Sequence, residues 1–375
     1  MILWYDMHEL WDADYAASRY KYQYVESVSF MATIKEIAKK ANVSIATVSN
    51  ILNHKGGASE ETVKKVMAVV REYHYTPNYN ARSLKQQSTN TIGVITEDLT
   101  VFNTPEIVDG INSYCDDHHY HFILENLRLN KKYGIDFRET EEYAAILEDE
   151  IQVLLSKQVD GIIYVGCHCR ELECIPREIR VPVVVAYSYA DLSQVPSVVF
   201  DDNKAAYMAT RYLLKNGHEK VGLVAGPMQS RHTQLRLLGY QLALYESEQL
   251  YNPMLVEHGD WGRESGYKAA KKLYARGVRA FFCMNDIMAG GVYQMASELG
   301  LSVGEDISVM GFDNREISEA YYPALSTVEL PLFNIGSKAA ELLIGILANK
   351  LKAEDNLLLQ MECTLIPRAS VKQMK

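Results

Sequence analysis

No apolar run in this sequence approaches the ~18 residues that a membrane-spanning helix needs. The opening stretch MILWYDMHELWDADYAASRY is acidic and tyrosine-rich, without the basic start and apolar middle of a secretion signal. The expected setting is the cytoplasm, with no membrane partner. Cysteine is sparse: six residues, at 115, 167, 169, 174, 283 and 363, are too few and too unevenly spread for a disulfide framework. Also missing are G-x-S-x-G, the P-loop, H-E-x-x-H and G-x-G-x-x-G, so no reaction has residues to carry it and an enzyme is not expected. Cys167, His168, Cys169 and Cys174 gather soft ligands after one strand, but C-x-C-x4-C is not a usual zinc spacing. They read as a loop of reduced thiols, and no metal or cofactor is implied.

What the chain does have is length and an uneven charge. Its 375 residues suffice for two or three domains, each with a sizeable core. The formal net charge is -10, yet residues 31–90 hold nine Lys or Arg against four acids. Residues 1–30 hold two basic residues against five acids, which leaves 91–375 at -12. A small basic module is thus joined to a large acidic body, and a polyanion partner is expected for the module alone.

Within the module, Thr33-Ile34-Lys35-Glu36 reads as a capping box that starts a helix, with Ile34, Ile37, Ala38 and Ala41 on one face. Asn42-Val43 forms a tight turn. Ser44 then caps a second helix with Val48, Ile51 and Leu52 buried, and Ser59 caps a third whose apolar face is Val63, Val66, Met67, Val70 and Tyr73. Three short helices with a basic surplus fit a helix-turn-helix DNA-binding domain. A three-helix bundle for protein contacts has the same pattern.

The following residues separate these alternatives. TIKEIAKKANVSIATVSNILN, YTPNYNARSLK and TIGVI together resemble the lactose-repressor/galactose-repressor (LacI/GalR) family, and the likeness runs on to LIPRAS near the C-terminus. By that resemblance Ile45, Ala46 and Asn50 stand at base-reading positions, while Thr33, Ser44, Thr47, Ser49, Asn53 and Ser59 are placed for phosphate contacts. Asn50 replaces the Arg or His common there and would favour adenine. Asn80, Ala81, Arg82, Leu84 and Lys85 match the hinge, which in the family becomes helical on the operator and wedges a leucine, here Leu84, into the minor groove. Family members start near MATIKEI, so Met31 is expected as the working start. Residues 1–30 would then be a start-site artefact or an unassigned acidic extension.

From residue 91 apolar strands alternate with helical stretches: TIGVITED, YHFILEN, DGIIYVG, VPVVVAY, SVVFD, VGLVAGP, RAFFCMND and SVMGFD. That alternation implies parallel sheets with crossover helices, and about 285 residues of it imply two lobes. The expected fold is therefore an N-terminal all-α helix-turn-helix domain (31–76), a hinge (77–90) and an α/β domain (91–375). The resemblance makes that last domain periplasmic-binding-protein-like, with two doubly wound parallel-sheet lobes: about 91–188 with 315–328, and about 189–314 with 329–375.

Ligands of such sheets sit at strand carboxyl ends. There Arg236, Trp261 and Asp286 match the family's pocket arginine, aromatic and aspartate. Arg231 and His232 lie in the loop beneath Arg236, and Asn103 with Thr104 occupies the first lobe's contact positions. Arg236 could instead be a structural ion pair, and Asp286 could cap its helix. Arg and Asp together suit vicinal hydroxyls, whereas Trp261 can stack on a sugar or a purine. The segment 127–150 is longer than the family norm and has no assigned contacts. YYPALSTVELPLFNIGSKAAELLIGIL resembles the family's crossover and C-terminal interface helix, where core packing and dimerisation are both expected. The resulting expectation is a homodimeric transcriptional repressor on a pseudo-palindromic operator, controlled by a small molecule, with a carbohydrate favoured over a purine or a phosphocarrier-protein partner. An α/β enzyme with a DNA-binding head and a solute-uptake protein are the competing classes.

Overall fold

The computed structural model describes residues 32–52, 56–75, 88–134, 141–172, 174–176, 178–190 and 195–373. The chain divides into two compact units, Met1–Lys85 and Gln86–Lys375.

In the smaller unit, helices α1 (Ile34–Ala41), α2 (Ile45–Leu52) and α3 (Glu60–Glu72) follow the expected spacing. The capping box forms: the Glu36 carboxylate accepts from the Thr33 amide at 2.6 Å while Thr33 Oγ1 accepts from the Glu36 amide at 3.4 Å. Asn42 turns the chain with a left-handed backbone, φ 51°, which its short polar side chain tolerates. Ser44 Oγ caps α2 through the Thr47 amide at 3.0 Å, and Ser59 Oγ caps α3 through that of Thr62 at 3.3 Å. Ile37, Ala38, Ala41, Val48, Ile51 and Val66 make the core. Val63 is a correction: placed by periodicity on the buried face, it is 36% exposed, because α1 and α2 cover only the stripe centred on Val66.

In the larger unit, β1 (Thr91–Thr96), β2 (His121–Asn126), β3 (Gly161–Val165), β5 (Val183–Ala186), β7 (Ser197–Phe200) and β13 (Leu358–Met361) form one parallel sheet in the order β13-β7-β5-β3-β1-β2. Alternate side chains divide two cores. Ile92, Val94, Ile163, Val165, Val184 and Val198 face helices α4 (Thr104–Asp117) and α12 (Leu332–Leu347), whereas Ile95, Ile162, Tyr164 and Val185 face α6 (Glu141–Ser156). Covering both faces is what near-continuous apolar strands require. The unassigned segment after β2 holds a short helix, α5 (Leu129–Tyr133), and the start of α6, whose Tyr143 and Leu147 are buried in the second core.

The second sheet, β11-β10-β8-β9, comprises β8 (Val221–Ala225), β9 (Val256–His258), β10 (Ala280–Cys283) and β11 (Ser308–Met310). Helices α7 (Asp202–Lys215), α8 (Arg231–Glu246), α9 (Arg263–Ala275) and α10 (Asp286–Glu298) surround it. A two-stranded antiparallel pair joins β12 (Thr327–Glu329) to β14 (Thr364–Ile366), a short parallel pair joins β4 (Glu171–Leu172) to β6 (Tyr189–Ala190), and a one-turn helix, α11 (Ile317–Ala320), follows β11.

The lobe boundaries differ from those expected. β7, α12 and β13 complete the first lobe, while residues 202–330 and 364–372 belong with the second. Strand β7 is needed to pair with both β5 and β13, and the apolar face of α12 is needed to cover β3, β5 and β7. The chain accordingly crosses between lobes three times, after Phe200, after Leu330 and after Met361. Among the described residues no helix is long and apolar enough to cross a membrane.

Candidate nucleic-acid face and interlobe site

On α2, packing of Val48 and Ile51 inward turns Ile45, Ala46 and Asn50 to solvent; Ile45 is 44% exposed. Thr47 and Ser49 are half-buried at its edges, and the Thr47 hydroxyl is bonded to Ser44 Oγ at 2.8 Å. Exposed Lys35, Lys39 and Lys40 lie on α1, with Lys40 against the Tyr73 ring. An apolar tip flanked by hydroxyls and amines is a surface that can meet a base edge between phosphates. Asn53 and the hinge residues Asn80, Ala81, Arg82, Leu84 and Lys85 lie outside the described residues.

The second site lies at strand carboxyl ends between the lobes. Arg236, on α8, is buried; its Nε donates to Asp202 Oδ1 at 2.7 Å, and Nη1 donates to the Met284 carbonyl and lies 3.8 Å from Asp313 Oδ1. Its guanidinium rests 3.8 Å from the Phe312 ring centroid and 5.8 Å from that of Trp261. Burial pushes the Asp202 carboxyl up, but His232 and Arg236 outweigh this and hold it below the usual carboxylate range. Burial keeps Asp313 well above that range. The ion pair foreseen as the alternative for Arg236 is therefore present, with Asp202 as partner.

Asp286 is the first residue of α10, but the cap of that helix is Asn285, whose Oδ1 accepts from the Met288 amide at 2.7 Å. The Asp286 carboxylate is held elsewhere: Thr327 Oγ1 donates to Oδ1 at 2.6 Å and the Arg315 amide to Oδ2 at 2.8 Å. Burial raises its pKa to about 6. Trp261 has a left-handed backbone, φ 70°. The tip of its ring lies over Gly226, where a Cβ would come within 2.4 Å of the ring and 2.6 Å of Thr233 Oγ1. Only glycine leaves room for that approach.

From the first lobe, Asn103 Nδ2 donates to the Gly166 carbonyl at 3.2 Å, and Thr104 Oγ1 lies 3.9 Å from Cys167 Sγ. Contacts that join the lobes here include Arg231 to Glu171 at 2.7 Å, the Cys169 amide to His232 Nε2 at 3.2 Å, the Arg315 guanidinium 4.8 Å from the Phe102 ring centroid, and the His232 ring against Tyr187 and Phe200. Arg231 also stacks on Tyr189. Among the described residues, Asn103 Oδ1, Thr233 Oγ1 and Arg231 Nε are buried here without a hydrogen-bond partner.

Glu97, Arg170, Asp202, Thr233, Asp313 and Arg315 were missed by the sequence reading. Glu97 is buried and accepts from Arg170 Nη2 and Tyr164 Oη, both at 2.6 Å, and from the Cys167 amide at 2.6 Å. The sequence does carry a signal for the acids: TIGVITED, SVVFDD, RAFFCMND and SVMGFD all end an apolar run on an acid, Asp286 in the case of RAFFCMND.

Residues 33–78 match the bacterial regulatory proteins of the lacI family, and residues 210–371 match a periplasmic binding protein-like domain. The chain is 33% identical over 351 residues to the HTH-type transcriptional repressor PurR of Vibrio campbellii, covering 92% of this chain and 100% of that relative. It is 32% identical over 350 residues to the ribose operon repressor of Haemophilus influenzae, again covering 92% and 100%. The lac repressor dimer bound to operator and the anti-inducer ONPF superposes with a TM-score of 0.73 at 26% identity, covering 91% of this chain and 99% of that one. The transcriptional regulator CelR–cellobiose complex gives 0.61 at 25% identity, covering 90% and 99%.

Proposed function

The chain belongs to the lacI family of bacterial regulatory proteins, and on that footing we propose that its interlobe site binds a sugar-class effector controlling operator affinity. It is a DNA-binding transcriptional repressor, not an enzyme. The observation that carries the effector reading is Arg236, buried at the carboxyl ends of the second sheet between Asp202, Asp313 and the face of Trp261. An arginine flanked by the Asp202 carboxylate and the Asp313 carboxyl, beside an aromatic face, suits a polyhydroxylated ring. The unpartnered Asn103 Oδ1 and Thr233 Oγ1 supply further hydrogen-bonding capacity. Asp286, Thr104, Arg231 and His232 complete the proposed set, acting largely by holding neighbouring groups in place.

Ile45, Ala46 and Asn50 would read base edges, with Thr33, Ser44, Thr47, Ser49, Asn53 and Ser59 toward phosphates. A homodimer on a pseudo-palindromic operator follows from the same reading, with Arg82, Leu84 and Lys85 of the segment Asn80 to Lys85 acting at its centre. The effector signal would leave the larger unit through residues 88–90. There Asp160 accepts from the Thr89 amide at 2.9 Å and Ser88 Oγ at 2.7 Å, tying the end of the hinge to the first lobe. A change in lobe closure would then move the paired hinges and shift operator affinity.

A purine base is the second reading, favoured by the flat face of Trp261. A thermal-shift screen against mono- and disaccharides and purines, followed by gel retardation on the DNA upstream of the coding sequence, tests both. A sugar should raise the melting temperature and change the DNA shift; a purine alone doing so would overturn the sugar reading. Leu84→Ala should weaken specific operator binding on the order of tenfold or more, the scale of a lost unstacking contact, and leave effector binding unchanged; equal losses in both would reject the hinge role.

A further inference from the structure

Cys169, Asp202 and His232 come from three separate segments, yet their ligand atoms all lie within 4.8 Å of one another. All three are buried, at 5%, 1% and 7% exposure. Cys169 follows β3 in the first lobe; Asp202 and His232 begin α7 and α8 in the second. We propose that they form a binding site for a borderline-soft divalent cation of the zinc class, built across the two lobes.

Donor chemistry supports this choice. A thiolate, an imidazole nitrogen and a carboxylate oxygen are the three ligand types zinc takes, and three protein ligands leave the fourth tetrahedral position open. Hard cations such as magnesium or calcium would not select the sulfur. The surroundings orient each donor. Arg236 Nε occupies Asp202 Oδ1 at 2.7 Å and leaves Oδ2 directed at His232 Nδ1, 2.8 Å away. The Cys169 amide donates to His232 Nε2, so the ring proton sits on Nδ1, between imidazole and carboxylate. A cation at Nδ1 would shift that proton to Nε2 of the neutral ring, where the Cys169 amide bond is given up, and would release the Cys169 thiol proton to solvent. The His232 ring is fixed further by stacking on Phe200 at 5.6 Å, and the Tyr189 hydroxyl is a hydrogen-bond donor to the Cys169 sulfur. Fixed outer partners of this kind set ligand orientation in metal sites.

Geometry also assigns a consequence. Tetrahedral zinc with the usual bond lengths sets its ligand atoms about 3.3–3.6 Å apart. The carboxylate and imidazole need to part by about half an ångström, and the sulfur needs to come no more than about 1.5 Å closer. Because the sulfur belongs to the opposite lobe, the ion binds the closed arrangement in preference to an open one, and by linkage it stabilises closure. Zinc would thereby act on the same movement as the effector, adding Cys169 to His232 and Asp202 of the proposed effector site.

The test uses full-length protein, stripped with chelator and kept reduced by a phosphine under argon, then titrated with cobalt(II) chloride. The expected result is a near-ultraviolet thiolate-to-cobalt band that saturates at one cobalt per chain, bleaches on adding zinc, and accompanies a zinc-dependent rise in melting temperature. Cys169→Ser should lose the band and Cys363→Ser keep it. His232→Gln should weaken cobalt at least about tenfold, and it decides the matter if Cys169→Ser fails to fold. No band at millimolar cobalt, a band retained in a folded Cys169→Ser, or an unchanged midpoint in His232→Gln would each overturn the site. Operator retardation by the unmodified protein is independent of all these outcomes.

Discussion

Asp286 shows how a single residue can be correctly located and its bonding misjudged. Its place after an apolar strand was legible in RAFFCMND; its bonds to Thr327 and Arg315 were not, since both partners lie about thirty to forty residues away. Burial pushes its carboxyl up to about 6, above the ~3.9 of an unfolded chain. The folded protein thus holds this proton more tightly than the unfolded one. Stability from this group is fully present below about pH 4 and is lost as pH rises through about 6, by on the order of 3 kcal/mol. Asp202, held low, is ionised in both states across that window and adds no slope there. Urea unfolding between pH 4.5 and 7 should therefore show a decline in the unmodified protein that Asp286→Asn makes shallower, the remainder coming from Asp313, which burial also holds above the usual carboxylate range. Parallel curves for the two proteins would mean that another group titrates.

Helices with caps and strands with unbroken apolar runs were legible because their signals are local. Thr33, Ser44 and Ser59 start helices in the structure where the capping pattern puts them. Strands β9, β12, β13 and β14 went unread: each has three or four residues and most are partly exposed, so neither run length nor alternation marks them. The helix α12 was legible as an apolar helix, but its partner was not. It buries Leu332, Ile335, Ala339 and Leu343 within its own lobe, crossing α4 so closely that a Cβ on Gly336 would stand 1.9 Å from the Ile107 carbonyl oxygen. That oxygen is backbone and cannot step aside. Gly336→Ala should destabilise the larger unit by about 2–4 kcal/mol, at or above the upper end of overpacking costs, measured by chemical denaturation. A loss under 0.5 kcal/mol would show that the two helices can separate freely.

For the whole molecule, charge division was the clearest message of the sequence and lobe connectivity the least clear. The basic surplus of residues 31–90 against the acidic remainder leads to a strongly salt-dependent affinity for DNA. Raising salt from 50 to 200 mM should weaken operator binding on the order of 10³-fold, while thermal-shift midpoints for the effector should move little. A flat salt response in retardation assays would deny the module its phosphate contacts. Lobe membership was misjudged because a crossing leaves no local mark: the residues after Phe200, Leu330 and Met361 are ordinary short links whose meaning depends on which sheet lacks an edge.

Those three crossings also bear on how the protein is made. The first lobe lacks a covering helix until residue 347 and an edge strand until residue 361, and the last backbone bonds to β11 come from Ser370. Synthesis runs from the N-terminus, so neither lobe can finish its core while the ribosome still holds the final stretch. The small helical unit has its three helices hundreds of codons earlier. A nascent chain therefore carries a DNA-binding head ahead of the part that regulates it, and a message truncated near its end would yield a head without a working control domain.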